Sequence, residues 1–224
     1  MGRTMVTAGR AARRGIFICF EGIEGSGKST QAALLAQWLA ERGVPHRLVR
    51  EPGGTAVGEE IRRLMLEGED LPARAELLLA LAARAVHVDE VLAPALAAGE
   101  VVVADRYELS TLAYQGYGRG LPLEEVRRAN EFATGGLKPD ITLLLDVPLA
   151  VGESRRRQAG REVDRIERAG EAFHRRVAEA YALLAETEPG VERVSATAGP
   201  AEVHAEILRR LRSRFPETFS LDAG

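Results

Sequence analysis

The sequence predicts an α/β fold of three layers, a five-stranded parallel sheet with helices on both faces, plus a short mobile lid late in the chain. Three observations predict it. Short runs rich in apolar and β-branched residues alternate with longer stretches of helical periodicity, the signature of parallel strands joined by crossover helices. The 224-residue length suits one domain with a large core. Residues able to do chemistry gather just after the strands, where ligands bind in parallel sheets.

In chain order, residues 1–14 are basic but lack an apolar segment, so they read as a disordered lead-in rather than a secretory signal. A single domain is expected over residues 15–214, with a tail at 215–224. Residues 16–20 (Ile-Phe-Ile-Cys-Phe) form an apolar run without polar alternation, a strand buried on both faces. Residues 28–42 have helical spacing, with Leu34, Leu35, Trp38 and Leu39 on one face. Further strands are expected at 46–50, 101–105, 141–146 and 191–195, and further helices at 74–98, 123–134, 170–187 and 201–214. No internal repeat or low-complexity linker interrupts the series.

Between the first strand and its helix lies Gly22-Ile23-Glu24-Gly25-Ser26-Gly27-Lys28-Ser29-Thr30, which fits the phosphate-loop pattern G-x-x-x-x-G-K-[ST] at every fixed position. Lys28 is one of only two lysines among 30 basic residues, so a compact ammonium stands where arginine is the rule. Glycines 22, 25 and 27 let backbone N–H groups turn inward on a phosphate, and the helix N-terminus adds its positive dipole end. Lys28 would reach the β- and γ-phosphates of a nucleotide, and the Ser29 hydroxyl would bind Mg²⁺. Asp105 ends an apolar run, where an acid of the Walker-B type would hold Mg²⁺ through water.

A second anion site is expected beside the first. Arg106 follows Asp105 directly, Arg50 follows the second strand, and Arg84 lies mid-helix in Ala82-Ala83-Arg84. Past the fourth strand, residues of about 150–168 combine Gly152 and Gly160 with Arg155, Arg156, Arg157, Arg161 and Arg165. That composition fits either a solvated helix or a lid that closes on ATP and presents arginines to the transferring phosphate. The phosphate loop has no basic residue at its variable positions, so a transition-state arginine has to come from elsewhere.

Taken together, these motifs resemble the thymidylate kinases, over nearly the whole chain from Ile16 to Leu211. The resemblance is carried by residues 20–30 (Phe-Glu-Gly-Ile-Glu-Gly-Ser-Gly-Lys-Ser-Thr), Arg50-Glu51-Pro52-Gly53-Gly54-Thr55, Asp105-Arg106-Tyr107 continuing through Ser110-Thr111-Leu112-Ala113-Tyr114-Gln115-Gly116, and Asp164-Arg165-Ile166-Glu167. It implies a P-loop NTPase fold and transfer of phosphate from ATP to thymidine monophosphate (dTMP), a step of dTTP synthesis. Lid arginines without a phosphate-loop arginine are similar to the bacterial form.

By resemblance, residues 22–30 would bind ATP. Arg84 and Arg106 would hold the acceptor's 5′-phosphate, with Arg50 near it. Thr111 and Gln115 would face thymine, and Tyr114 would pack near the deoxyribose. Glu24 would bind the acceptor's sugar or a water-held metal, and Glu167 would assist the metal from the lid. Arg157, Arg161 and Arg165 would contact ATP, and with Lys28 and Arg106 would carry catalysis. One position departs from the family, which usually places a base-stacking phenylalanine where this chain has Ala80. The resemblance also implies a homodimer.

The acceptor is itself a phosphate oxyanion, so no catalytic histidine or base is expected. Catalysis would rest on positioning and charge neutralisation. A net charge of −3 gives no basic field for nucleic acid. No apolar run approaches the ~20 residues of a membrane span. A lone Cys19 fits a reducing cytoplasm, and the histidines at 46, 87, 174 and 204 show no metal spacing. Without the resemblance, the residues leave open a kinase for another deoxynucleoside monophosphate, a deoxynucleoside kinase, and a regulatory nucleotide-binding protein.

Overall fold

The structure is a computed structural model and describes residues 14–158, 160 and 164–220. Five strands, β1 (Phe17–Glu21), β2 (His46–Arg50), β3 (Val101–Asp105), β4 (Ile141–Asp146) and β5 (Val191–Ser195), form one parallel sheet in the order β2-β3-β1-β4-β5. The helices are α1 (Lys28–Glu41), α2 (Ala56–Leu66), α3 (Ala73–His87), α4 (Ala93–Ala97), α5 (Glu108–Thr111), α6 (Leu123–Thr134), α7 (Leu149–Gln158), α8 (Glu171–Thr187), α9 (Pro200–Arg214) and α10 (Pro216–Phe219).

Strand alternation builds the layers. Successive side chains of a strand point to opposite faces. Phe17 and Cys19 of β1 therefore join Val102 and Ala104 of β3 in one core, covered by Leu92, Ala95 and Leu96. Ile18 and Phe20 join Val101 and Val103 in the other, with Leu35 and Leu39 of α1 and Ile207 and Leu211 of α9. Burial on both faces explains why β1 reads as continuously apolar.

The helix expected over 74–98 is broken into α3, a π-helical turn at Val88–Leu92 and α4. Pro94 lacks the N–H needed to continue the α ladder at that point. α5 likewise runs into a π-helical stretch, Leu112–Gly118. Within the tail expected from 215, residues 216–219 form a packed helical turn. Phe219 is fully buried, and its ring stacks on Trp38 with centroids 5.5 Å apart. The packed body thus extends through α10. Most of the lead-in, residues 1–13, and the last four residues lie outside the described range.

β1 lies between β3 and β4, so the chain first winds to one side of it, to β2 and β3, and then crosses to the other side, to β4 and β5. This places the crevice for ligands at its carboxyl end, and Glu21 marks that end.

Candidate active site

The turn after β1 is held by its glycines. Gly22 has φ 139°, and a Cβ there would lie 2.6 Å from the Leu145 carbonyl oxygen. Lys28 opens α1, is buried, and donates from Nζ to the Ile23 carbonyl at 2.8 Å. Burial lowers its pKa, as does the neighbouring Arg106. The Ser26 hydroxyl is buried without a partner among the described residues, a polar atom left for a ligand. Ser29 Oγ donates to Asp105 Oδ2 at 2.5 Å. The two are hard oxygen donors side by side, the kind of set that holds Mg²⁺ together with substrate phosphates.

Helix α7 lies against this loop. A Cβ on Gly152 would stand 2.6 Å from the Glu24 carbonyl oxygen, so only glycine permits the approach. Arg155 donates to the carbonyls of Ala196 and Thr197, which ties α7 to the turn after β5.

Arg106 is the centre of a polar cluster beside the loop. Its φ of 77° makes it the one non-glycine in the left-handed region among the described residues, a strained state found chiefly at functional sites. Its guanidinium donates to Gly22 O (3.3 Å), Ser110 Oγ (3.0 Å), Tyr181 Oη (3.1 Å), Tyr114 Oη (3.1 Å) and the Glu24 carboxylate. Burial opposes the charge, but Tyr114, Glu24 and Tyr181 outweigh it and raise the Arg106 pKa further. Glu24 responds in kind. Burial pushes it up, yet Arg106 and Lys28 draw it down to about 2. One carboxylate thus sits between the cation of the phosphate loop and the cation after β3.

Beneath this lies Glu21, wholly buried. Oε1 accepts from the N–H groups of Tyr107 (2.9 Å) and Ser110 (3.0 Å), and Oε2 from the hydroxyls of Ser110 (2.7 Å) and Tyr181 (2.9 Å). Glu21 therefore pins both ends of the turn that carries Arg106.

Arg84 is close by but largely occupied. It donates to Glu51 Oε2 (2.7 Å), Thr111 Oγ1 (2.8 Å), Asn130 Oδ1 (2.5 Å) and Tyr107 O (2.9 Å). A guanidinium has five N–H groups, so one remains. Thr111 and Gln115 are buried on the neighbouring helical stretch, and Gln115 Nε2 donates to Glu76 at 2.8 Å.

The structure thus brings Glu24, Lys28, Ser29, Asp105, Arg106 and Tyr114 together, with Arg84, Thr111 and Gln115 adjoining. Other expected contacts are placed elsewhere. Arg50 is half-exposed and holds Glu59. Arg157 is exposed on α7. Glu167 accepts from the Asp164 N–H at 3.2 Å and faces Arg156 within the lid. Arg165, read from the sequence as an ATP contact, is engaged within the protein. It is buried and donates to Met65 O and Glu76 Oε2, each at 2.8 Å, because the lid stem docks on α2 and α3. Arg161 lies outside the described residues.

Sequence reasoning missed Glu21, Glu51, Glu76, Ser110 and Tyr181 as site-builders. Glu21, Glu51 and Ser110 sit inside the quoted motifs, the one available signal. It also passed over Arg156, which lines a small cavity with Glu24, Tyr114 and His174 between loop, lid and α8.

Comparison with known proteins bears on this arrangement. The thymidylate kinase family model matches residues 20–207. A thymidylate kinase from Synechococcus sp. strain JA-2-3B'a(2-13) is 50% identical over 202 residues, covering 90% of this chain and 96% of the relative. That of Thermomicrobium roseum is 50% identical over 192 residues, 86% and 91% of the two chains. That of Chromobacterium violaceum is 46% identical over 202 residues, 89% and 94%.

Proposed function

The chain belongs to the thymidylate kinase family and phosphorylates dTMP with ATP, and we propose that Lys28 and Arg106 carry the transfer from opposite sides of the moving phosphoryl group. The observation that carries this reading is the ion pair of Glu24 with Arg106, beside Lys28 at the head of α1; both cations draw the Glu24 carboxyl pKa down to about 2.

In this reading the loop amides of residues 22–30 cradle the ATP phosphates, and Lys28 leaves Ile23 O to meet the β- and γ-oxygens. Ser29 and Asp105 hold Mg²⁺, which when bound supplies charge neutralisation on those phosphates. Glu167 adds to that site only if the lid moves. Arg106 orients the acceptor phosphate, Arg84 contributes its one remaining N–H, and Arg50 is a peripheral contact. Tyr114 packs beside the deoxyribose, and Thr111 and Gln115 meet the base. Arg165 being engaged, Arg156 and Arg157 of α7, with Arg161, are the lid arginines that neutralise the transferring phosphate. Closure of the lid arginines over the phosphates excludes water and suppresses hydrolysis.

The protein acts as a homodimer in the cytoplasm. Leu64 of α2, Leu78 of α3 and Phe132 of α6 are 54%, 64% and 91% exposed on neighbouring helices, an apolar surface that a second copy would cover. Cys19, a buried free thiol, fits a reducing compartment. Among the described residues no helix is long and apolar enough to cross a membrane.

A coupled assay with ATP and a panel of nucleoside monophosphates tests the function. dTMP should be turned over most efficiently. A clear preference for a purine monophosphate, which the small Ala80 would have to accommodate, would overturn the acceptor assignment.

A further inference from the structure

Two polar rungs join α3 to the helical stretch at 108–118. Arg84 meets Thr111 at 2.8 Å, and two turns earlier on α3 Glu76 meets Gln115 at 2.8 Å. Ala80 lies midway between the rungs on the same face of α3, half-exposed. The second rung has an unusual anchor. Glu76 is wholly buried, and its two oxygens accept four N–H groups from three residues on two separate parts of the chain. Oε1 takes Gln115 Nε2 and Arg119 Nε (3.2 Å), and Oε2 takes Arg119 (2.9 Å) and Arg165 of the lid stem (2.8 Å). Burial works against its ionisation, but the bonds from Arg119, Gln115 and Arg165 hold its pKa below the usual carboxylate value.

An ionised carboxylate only accepts, so the amide facing it must present N–H. The Gln115 carbonyl oxygen is then turned away from Glu76, and no donor among the described residues reaches it. Resting on the acceptor assignment above, we propose that Glu76 is a positioning residue for base specificity: it fixes Gln115 Oε1 as an acceptor aimed at a pyrimidine that carries a ring N–H, and Arg165 makes that orientation depend on the docked lid stem. Thymine has such an N–H at position 3. Cytosine has an unprotonated nitrogen there, and its lone pair would face the Gln115 oxygen.

The stem is fastened at three points, since the Arg165 N–H also donates to Leu66 O at 2.9 Å and its Nε to Met65 O. Among the described residues Glu76 is thus the one carboxylate that touches both the lid stem and the base-facing amide.

The test is calorimetric binding of dTMP and dCMP to the intact protein and its Glu76→Gln variant, beside steady-state kinetics. A glutamine at 76 can donate or accept, so it no longer dictates the orientation of its neighbour. The dTMP-over-dCMP preference should shrink about tenfold, the effect of one misdirected hydrogen bond, while KM for ATP stays within about twofold. Arg165→Ala should move the preference in the same direction by a smaller factor. An unchanged preference in a folded Glu76→Gln variant overturns the inference. Should that variant not fold, the wild type decides. N3-methylated dTMP must bind at least about tenfold more weakly than dTMP, and equal binding refutes the pairing. Absence of dTMP kinase activity in the wild type would instead count against the acceptor assignment itself.

Discussion

Gly25 of the phosphate loop and Gly152 of α7 touch backbone to backbone. A Cβ on Gly25 would stand 2.1 Å from the Gly152 carbonyl oxygen, and one on Gly152 would stand 2.6 Å from the Glu24 carbonyl oxygen. Neither neighbour is a flexible side chain, so neither can give way cheaply. Helix α7 and the glycine loop after β1 are therefore registered to each other without any side chain between them.

Gly152→Ala follows from that contact. The added methyl must push α7 off the loop, at about 1–3 kcal/mol of stability for overpacking. Displacing the lid arginines by a fraction of an ångström to an ångström should lower kcat about 10- to 100-fold. Denaturant unfolding and steady-state assays on the same preparation would check both numbers. Wild-type turnover in the variant would show that α7 need not touch the loop.

Lys28 and Arg106 should separate donor from acceptor. Lys28→Ala removes a cation from the transferring phosphate and should cut kcat at least about 10²-fold, as loss of an electrostatic transition-state group does. The lost bond to Ile23 O should change stability by only about 1 kcal/mol. Arg106→Ala should raise KM for dTMP more than KM for ATP. Initial-rate kinetics with each substrate varied reads both, and a larger ATP effect for Arg106→Ala would mean that the two sites are exchanged.

The phosphate loop was legible because each of its positions is fixed by local backbone geometry, so nine consecutive residues suffice to read it. The middle of the sheet was legible because β1, β3 and β4 are buried on both faces and stay apolar. Arg165 and Arg157 were indistinguishable in the sequence, since what separates them is Glu76, 89 positions from Arg165. Glu21, Glu51 and Glu76 were missed for the same reason. A buried carboxylate is defined by donors that converge from distant segments, and Tyr181 reaches Glu21 across 160 positions. Phe219 follows a proline at a helix end, which locally signals a terminus, and only its long-range stacking on Trp38 shows it to be core.

Glu24 sets an expectation for pH. Its pKa is near 2 in the folded protein and 4.5 without its partners, so the unfolded chain binds the proton more readily. The stabilisation it contributes is present above about pH 4.5 and is lost as pH falls towards 2. Unfolding free energies of wild type and Glu24→Gln, measured by denaturant titration between about pH 6 and 3, should therefore converge on acidification. A constant difference over that interval would mean that Glu24 is not held ionised by Arg106 and Lys28.

Phe219 should be as costly to remove as any core aromatic. It is fully buried in the sheet-side core, stacks on Trp38 at 5.5 Å, and meets Phe215 at 6.4 Å. Phe219→Ala should destabilise the protein by about 3–5 kcal/mol, read as a lower urea midpoint at constant slope. Because α10 packs with α9 on α1 rather than on the loop, kcat at temperatures well below the transition should stay at the wild-type value. A variant as stable as the wild type would return these residues to the status of a tail, whereas a loss of kcat without loss of stability would show that the packing of α1 behind the phosphate loop reaches Lys28.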